Sequence, residues 1–310
     1  MKRSLDHSLK SRTNHTRQRL LVGTLTGCLF ALSLSPTRAE APQPRTSGSP
    51  SGNEAAFSET ASQWHGFERF DFEFEERKAI VVTPKKTAEG KPWIWRARFF
   101  GHEPQLDIAL LEAGFHVVYA DVSNLFGSPV AVAHWNQFYS YLVNQHDFHP
   151  KPTLEGMSRG GLIIYNWARA NPTKVAAIYA DAPVLDFRSW PGGPRRKEDR
   201  GQQNAWEQLL KAYSFSSDDE AFAYPGNPVD NVQFLVDHKI PLFHVCGDTD
   251  PVVPYRDNTG RFKTRYHRAG GNQLYEIVKP HIGHHPHSLK DPVPLVEFVL
   301  GQYGTTATRP

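Results

Sequence analysis

The sequence predicts an α/β protein, with a mostly parallel central sheet flanked by helices and a cap inserted between the sixth and seventh strands. Three observations carry this. From residue 67 onward, short apolar runs alternate with helix-like stretches, the rhythm of parallel strands joined by crossover helices. One junction is the glycine-rich turn Gly156-Met157-Ser158-Arg159-Gly160-Gly161, set between an apolar run and the helix-like stretch Leu162 to Ala170. The rhythm breaks once, over about 186–235, where loop and helix replace the strand pattern.

The elements follow in order. Phe67 to Phe74 alternates apolar and polar residues and Lys78 to Val82 is apolar, so the two read as a hairpin. Trp93 to Phe99 is the third strand, followed by a helix from Gln105 to Ala113. His116 to Val122 is the fourth strand and Val130 to Val143 the next helix. Thr153 to Met157 is the fifth strand and Val175 to Pro183 the sixth. The insertion carries Trp190-Pro191-Gly192-Gly193-Pro194-Arg195-Arg196-Lys197 and a helical stretch from Ala205 to Tyr213. Strands resume at Pro241 and again over Leu274 to Pro280. Ligands of such sheets bind at the carboxyl ends of the strands.

The chain has 310 residues, 39% hydrophobic and 12% aromatic, enough for one sizeable core. The predicted domain runs from 63 to 304, behind a Pro/Ser/Gly/Thr-rich tether over 42–62. Residues 1–41 read as a secretory signal: six basic residues precede an apolar run from Leu20 to Ser35, and Ala39-Glu40-Ala41 offers a cleavage site. The expected location is therefore periplasmic or extracellular. Leu25-Thr26-Gly27-Cys28 also resembles a lipobox, so membrane attachment is expected only if Cys28 is lipidated. The leader holds seven of the 35 basic residues and two of the 32 acidic ones, which leaves the remainder near −2. That removes the main support for nucleic-acid binding. After cleavage Cys246 is the one remaining cysteine, most simply a small core residue. Nothing in the pattern fixes an oligomeric state.

Three loops carry chemistry. A serine on a sharp strand-to-helix turn projects its hydroxyl clear of the sheet, beside helix N–H groups that favour developing negative charge. Gly247-Asp248-Thr249-Asp250-Pro251-Val252-Val253-Pro254 follows one strand, and His281-Ile282-Gly283-His284-His285-Pro286-His287 follows the last. A serine, an acid and a histidine thus each follow a predicted strand.

From about Phe67 to Tyr303 the chain resembles α/β-hydrolase-fold serine hydrolases. Gly156-Met157-Ser158-Arg159-Gly160 resembles their nucleophile elbow, the Asp250 loop their G-x-x-D-x-V-V-P acid loop, and Gly283-His284 their histidine loop. The resemblance implies Ser158 as nucleophile, His284 as base and Asp250 as orienting acid, with no cofactor. Asp248 and Asp181 are rival acids, and His285 is the rival base. The Arg159 backbone N–H is the first oxyanion donor. The second is expected among Arg96 to Phe99, with Arg96 named, because the family's His-Gly pattern is missing there. Arg159, Arg98, His102, His285 and Trp190 are the candidate substrate contacts.

The Trp93–His102 and Gly283–Ser288 segments are similar to exported carbohydrate esterases, including pectin-type methylesterases. That implies a small-molecule or polysaccharide ester of an acidic glycan. Trp64, Trp93, Trp95, Trp135, Trp190 and Trp206 could stack on sugars, and Arg159, Arg195, Arg196 and Lys197 could meet a uronate. The alternatives are a prolyl-oligopeptidase-like serine peptidase and a catalytically silent binding protein. The histidines 281, 284, 285 and 287 invite a metal reading, but a loop broken by Pro280 and Pro286 sets no ligand spacing, so no metal is expected.

Overall fold

The computed structural model describes residue 57 and residues 60–304. The signal segment, Cys28 and most of the tether lie outside the described residues. Among the described residues no helix is long and apolar enough to cross a membrane.

Three antiparallel strands open the domain: β1 (Thr60–Trp64), β2 (Phe67–Phe74) and β3 (Arg77–Thr83). Then β4 (Trp93–Arg96), α1 (Gln105–Glu112), β5 (His116–Ala120), α2 (Pro129–Gln145), β6 (Thr153–Met157), α3 (Gly160–Ala170) and β7 (Ala177–Asp181) alternate. The insertion contributes α4 (Arg200–Tyr213), α5 (Asp218–Ala223) and α6 (Gln233–Asp237). The chain closes with β8 (Leu242–Gly247), α7 (Thr259–Arg268), β9 (Leu274–Lys279) and α8 (Val293–Leu300). The sheet order is β1-β2-β3-β5-β4-β6-β7-β8-β9, antiparallel from β1 to β5 and parallel from β5 to β9.

β4, β5, β6, β7 and β8 are buried along their whole length, so they read as mainly apolar runs, broken by single polar residues such as Arg96 and Glu155, rather than as alternating ones. One face packs on α2 and α3 through Trp93, Trp95, Trp135, Phe138 and Trp167. The rings of Trp95 and Trp135 stack at 3.9 Å. The other face packs on α1 and α8 through Leu106, Leu110, Phe115, Leu295 and Phe298. The cap has a separate small core of Phe187, Trp190, Trp206 and Leu209, seated on Leu162 of α3 and on Phe126 and Val253.

Four expectations are corrected. β1 starts inside the segment read as tether: Thr-Ala-Ser-Gln-Trp has no apolar alternation, yet it pairs with β2 from Thr60↔Asp71 to Trp64↔Phe67. Phe57, further into that segment, is buried and stacks on Phe72. With this extra strand, the cap falls between the seventh and eighth strands. The strand read to Phe99 ends at Arg96, because Phe99 takes a left-handed φ of 53° and leads the chain out of the sheet. Trp93, Trp95, Trp135 and Trp206 are at most 1% exposed and so are core, not sugar platforms. α7 and α8 add to the elements read from sequence; α7 buries Phe262 and Tyr266, four apart on one face, besides its first residue. Cys246 is buried, as read; burial pushes its thiol up to about 12.

One polar cluster crosses the core beneath the sheet's carboxyl end. The Arg96 guanidinium meets Asp107 of α1, Glu155 of β6 (3.2 Å) and the carbonyl of His102. All three charged side chains are at most 1% exposed. Burial pushes the Glu155 carboxyl well above the ordinary 4.5; Arg96 opposes this, and Asp107 adds to it. A protonated Glu155 can donate to Asp107, which leaves one anion facing one guanidinium. Because its folded-state pKa is raised, the stability Glu155 contributes is full below pH 4.5 and is lost as pH climbs through that raised value. Glu155→Gln, a permanent neutral donor, is expected to flatten this part of the melting-temperature profile. A variant that tracks wild type at every pH would refute the protonated state.

Candidate active site

β6 runs straight into the turn. Ser158 has φ 49°, a conformation a non-glycine residue rarely holds unless its surroundings impose it. Here its N–H donates to the Asp181 carbonyl (2.9 Å), and its carbonyl accepts from Gly161 (3.0 Å) and Val184 (2.9 Å). A Cβ on Gly156 would lie 2.6 Å from Ile164 Cδ1 and 2.8 Å from the Gly160 oxygen. One on Gly161 would lie 2.7 Å from both Pro183 Cβ and the Val184 oxygen. On Gly160 the nearest atom would be Ala97 Cβ at 3.4 Å. The second tight position is therefore Gly161, one residue beyond the motif's last glycine.

The three loops meet. His284 Nε2 lies 3.0 Å from Ser158 Oγ, and His284 Nδ1 lies 2.7 Å from Asp250 Oδ2. Asp250 Oδ1 accepts the N–H groups of Val252 (2.8 Å) and Val253 (2.9 Å), which fixes the carboxylate. With Nδ1–H donated to Asp250, Nε2 is left to take the serine proton.

The rivals have other work. Asp248 accepts the His281 N–H at 2.7 Å and so ties the acid loop to the histidine loop. Asp181 accepts from His287 Nδ1 (2.5 Å), the Ser288 N–H (2.8 Å) and the Tyr179 hydroxyl (2.9 Å). His285 has an exposed ring edge-on to His284.

Ser158 opens into a cavity of about 530 Å³ lined by Phe99, Phe100, His102, Arg159, Trp190, Val252, His284, His285 and His287. That volume suits a small-molecule-sized ligand. Of the candidate substrate contacts, His102, His285, Trp190 and Arg159 line the cavity. Arg98 stands behind the wall, its guanidinium 5.1 Å from the Phe99 ring. Phe99, Phe100 and Val252 were missed, since apolar residues in loops carry no signal of their own. His287 was seen only as one of a cluster.

Arg96 is corrected as an oxyanion donor. It sits inside the β4 ladder, in register with Tyr119 and Glu155, and its side chain is taken up by the buried cluster. Ala97 N–H is spent on the Glu155 carbonyl at 2.9 Å. Arg98 and Phe99, where the chain leaves the sheet, have no backbone acceptor among the described residues. The cap cations are corrected as well. Arg196 is bound to Asp218 (2.8 Å) and lies over Trp206, while Arg195 donates to the Pro251 carbonyl (3.0 Å). None of Arg195, Arg196 and Lys197 lines the cavity.

Among the described residues one histidine group could hold a metal ion: His102, His285 and His287, whose ring nitrogens lie within 4.8 Å of one another. It differs from the set read in sequence, because His284 faces Ser158. His287 is oriented by Asp181 as a metal-bound imidazole would be, but no carboxylate joins the three, and His102 and His285 are exposed.

No protein-family model and no curated protein matches this sequence. Solved structures do. A puromycin-hydrolysing peptidase of Mycobacterium tuberculosis superposes with TM-score 0.56 at 14% identity, over 75% of this chain and 38% of that one. Dipeptidyl peptidase 4 of Porphyromonas gingivalis superposes with TM-score 0.56 at 13% identity, over 77% and 35%. This chain therefore spans little more than a third of either neighbour's length. The fold is the α/β-hydrolase fold. It carries a serine, a histidine and an aspartate in one hydrogen-bonded line at the mouth of a pocket.

Proposed function

We propose that this protein is a serine hydrolase working through an acyl-enzyme, and that it is exported. The observation that carries the first part is the line Asp250–His284–Ser158, at 2.7 and 3.0 Å, opening into the cavity. His284 takes the Ser158 proton as Oγ attacks the acyl carbon, then returns it to the leaving group. Water, activated the same way, releases the acid. Arg159 N–H, with Arg98 or Phe99 N–H, faces the developing oxyanion. The basic, apolar leader supports export.

The bond cleaved has two readings. The fold neighbours are peptidases, which supports a prolyl-oligopeptidase-like serine peptidase over the carbohydrate esterase that the sequence suggested. The core placement of four tryptophans also weakens the sugar reading. Against an enzyme that takes peptides from a free amino terminus, the lining offers no carboxylate to hold an ammonium group. The reading supported best is therefore hydrolysis of an acyl bond whose nearby groups are neutral or acidic.

The test is a fluorophosphonate probe on the mature protein, followed by a panel of p-nitrophenyl esters and peptidyl p-nitroanilides. Labelling at Ser158 is expected, with turnover of at least one ester class. A protein that neither labels nor turns over any member would overturn the proposal. Anilide turnover at rates comparable to the esters would favour the peptidase.

A further inference from the structure

The region around Ser158 holds an electrostatic anomaly. Arg159 is half-buried, and its guanidinium lies 5.0 Å from the Trp190 ring centre and 5.8 Å from that of Phe126. Among the described residues it has no carboxylate partner and no side-chain hydrogen bond. Arg98 is in the same position: its guanidinium rests on Phe99 and its buried Nε has no acceptor. Loss of water, and then the charge of Arg98, pull Arg159 down to about 10, a rare direction for an arginine.

Guanidinium groups removed from water are paired in folded proteins, because the desolvation is otherwise uncompensated. Among the described residues, three acids on the loops at this end of the sheet are already committed. Asp250 holds His284, Asp181 holds His287, and Asp121 is bound by Ser123 and Tyr119. Three further imidazoles, those of His102, His285 and His287, line the same cavity, and among the described residues no carboxylate lines it. The described residues therefore supply no counter-ion, and a bound anion would.

We propose that Arg159, backed by Arg98, forms a carboxylate-recognition subsite beside Ser158, so that the substrate carries an acidic group next to the bond that is cleaved. This rests on the serine-hydrolase reading. The planar fork of Arg159 suits a carboxylate, and the rings of Trp190 and Phe126 flank that fork. Binding an anion there relieves the repulsion between the two arginines. Aromatic faces alone would serve a neutral substrate as well, with no guanidinium left unpaired.

The experiment uses two matched pairs of esters, each differing by one carboxylate. On the acyl side the pair is p-nitrophenyl butyrate and mono-p-nitrophenyl glutarate. On the alcohol side it is methyl 4-acetoxybenzoate and 4-acetoxybenzoate. In one pair the anionic member is expected to have the higher kcat/KM. Arg159→Gln should cut that preference by about 10- to 100-fold, the scale of a lost hydrogen bond to a charged group. Arg159→Lys should cut it less, and Arg98→Gln should cut it as well. Arg196→Gln, whose guanidinium is paired with Asp218 away from the cavity, should leave the preference unaltered. No preference in either pair, or equal loss on both members in Arg159→Gln, would overturn the subsite. If no ester turns over and Ser158 does not label, the hydrolase reading fails by itself. Calorimetric titration with 4-acetoxybenzoate then decides the subsite: saturable binding that Arg159→Gln weakens supports it, and absence of binding rejects it.

Discussion

Ser158→Ala is expected to lower kcat/KM on the best ester by about 10⁴- to 10⁶-fold, the scale seen when a triad nucleophile is removed. The fold should survive, because the hydroxyl's one hydrogen bond is to His284. His284→Ala should lose about as much, since triad members act as a unit and the nucleophile without its base is idle. Asp250→Asn should lose about 10³- to 10⁴-fold, because an amide can donate to Nδ1 and so stabilise the wrong tautomer. Asp248→Asn is the control. Its carboxylate accepts a backbone N–H and does not face the imidazole, so its loss should be far smaller. A ranking that puts Asp248→Asn below Asp250→Asn in activity, or His285→Ala below His284→Ala, would displace the assignment.

Arg96→Met is expected to be the most destabilising single change among the polar residues. It strands Asp107 and Glu155 at the edge of the core without their cation, and breaking one partner of a buried ionic cluster costs about 3–5 kcal/mol. For a domain of this size that is a fall in melting temperature of about 6–20 °C. The penalty comes chiefly from the unpaired Asp107 carboxylate, with the buried Glu155 carboxyl beside it, so Arg96→Met combined with Asp107→Leu and Glu155→Leu should recover much of the loss. Arg96 also bonds the His102 carbonyl, so the single variant should loosen the loop that carries Phe99, Phe100 and His102 into the cavity. A melting point within about 2 °C of wild type, by thermal denaturation, would refute this account.

The parallel strands were legible because each is a short, mainly apolar run closed by turn residues. The triad was legible because each member sits at the end of one such run. What escaped notice has physical reasons. β1 is polar and gains its place through ladder hydrogen bonds to β2, which leave no trace in side-chain pattern. Arg96 reads in sequence as part of the oxyanion loop, since nothing local reveals that Asp107 and Glu155 converge on it from a helix and another strand. Arg195 and Arg196 look available until Asp218 and the Pro251 carbonyl are seen to hold them. Arg159 shows the reverse case: its lack of a partner is visible only once every neighbour is placed.

The span of the triad along the chain has a consequence for when activity appears. Ser158 and His284 stand 126 residues apart, and Asp250 lies between them on a different strand end. The tryptophans that fill the sheet's larger core, Trp93, Trp95, Trp135 and Trp167, all belong to the earlier half of the domain. A refolding chain can therefore bury its fluorescent core while β8 and β9 are still undocked. Such a species would carry much of the native tryptophan emission, the cap's Trp190 and Trp206 apart, and no complete triad. Recovery of hydrolysis and recovery of fluorescence are therefore expected to run on separate clocks during refolding, and only the first would report that all three triad loops have met.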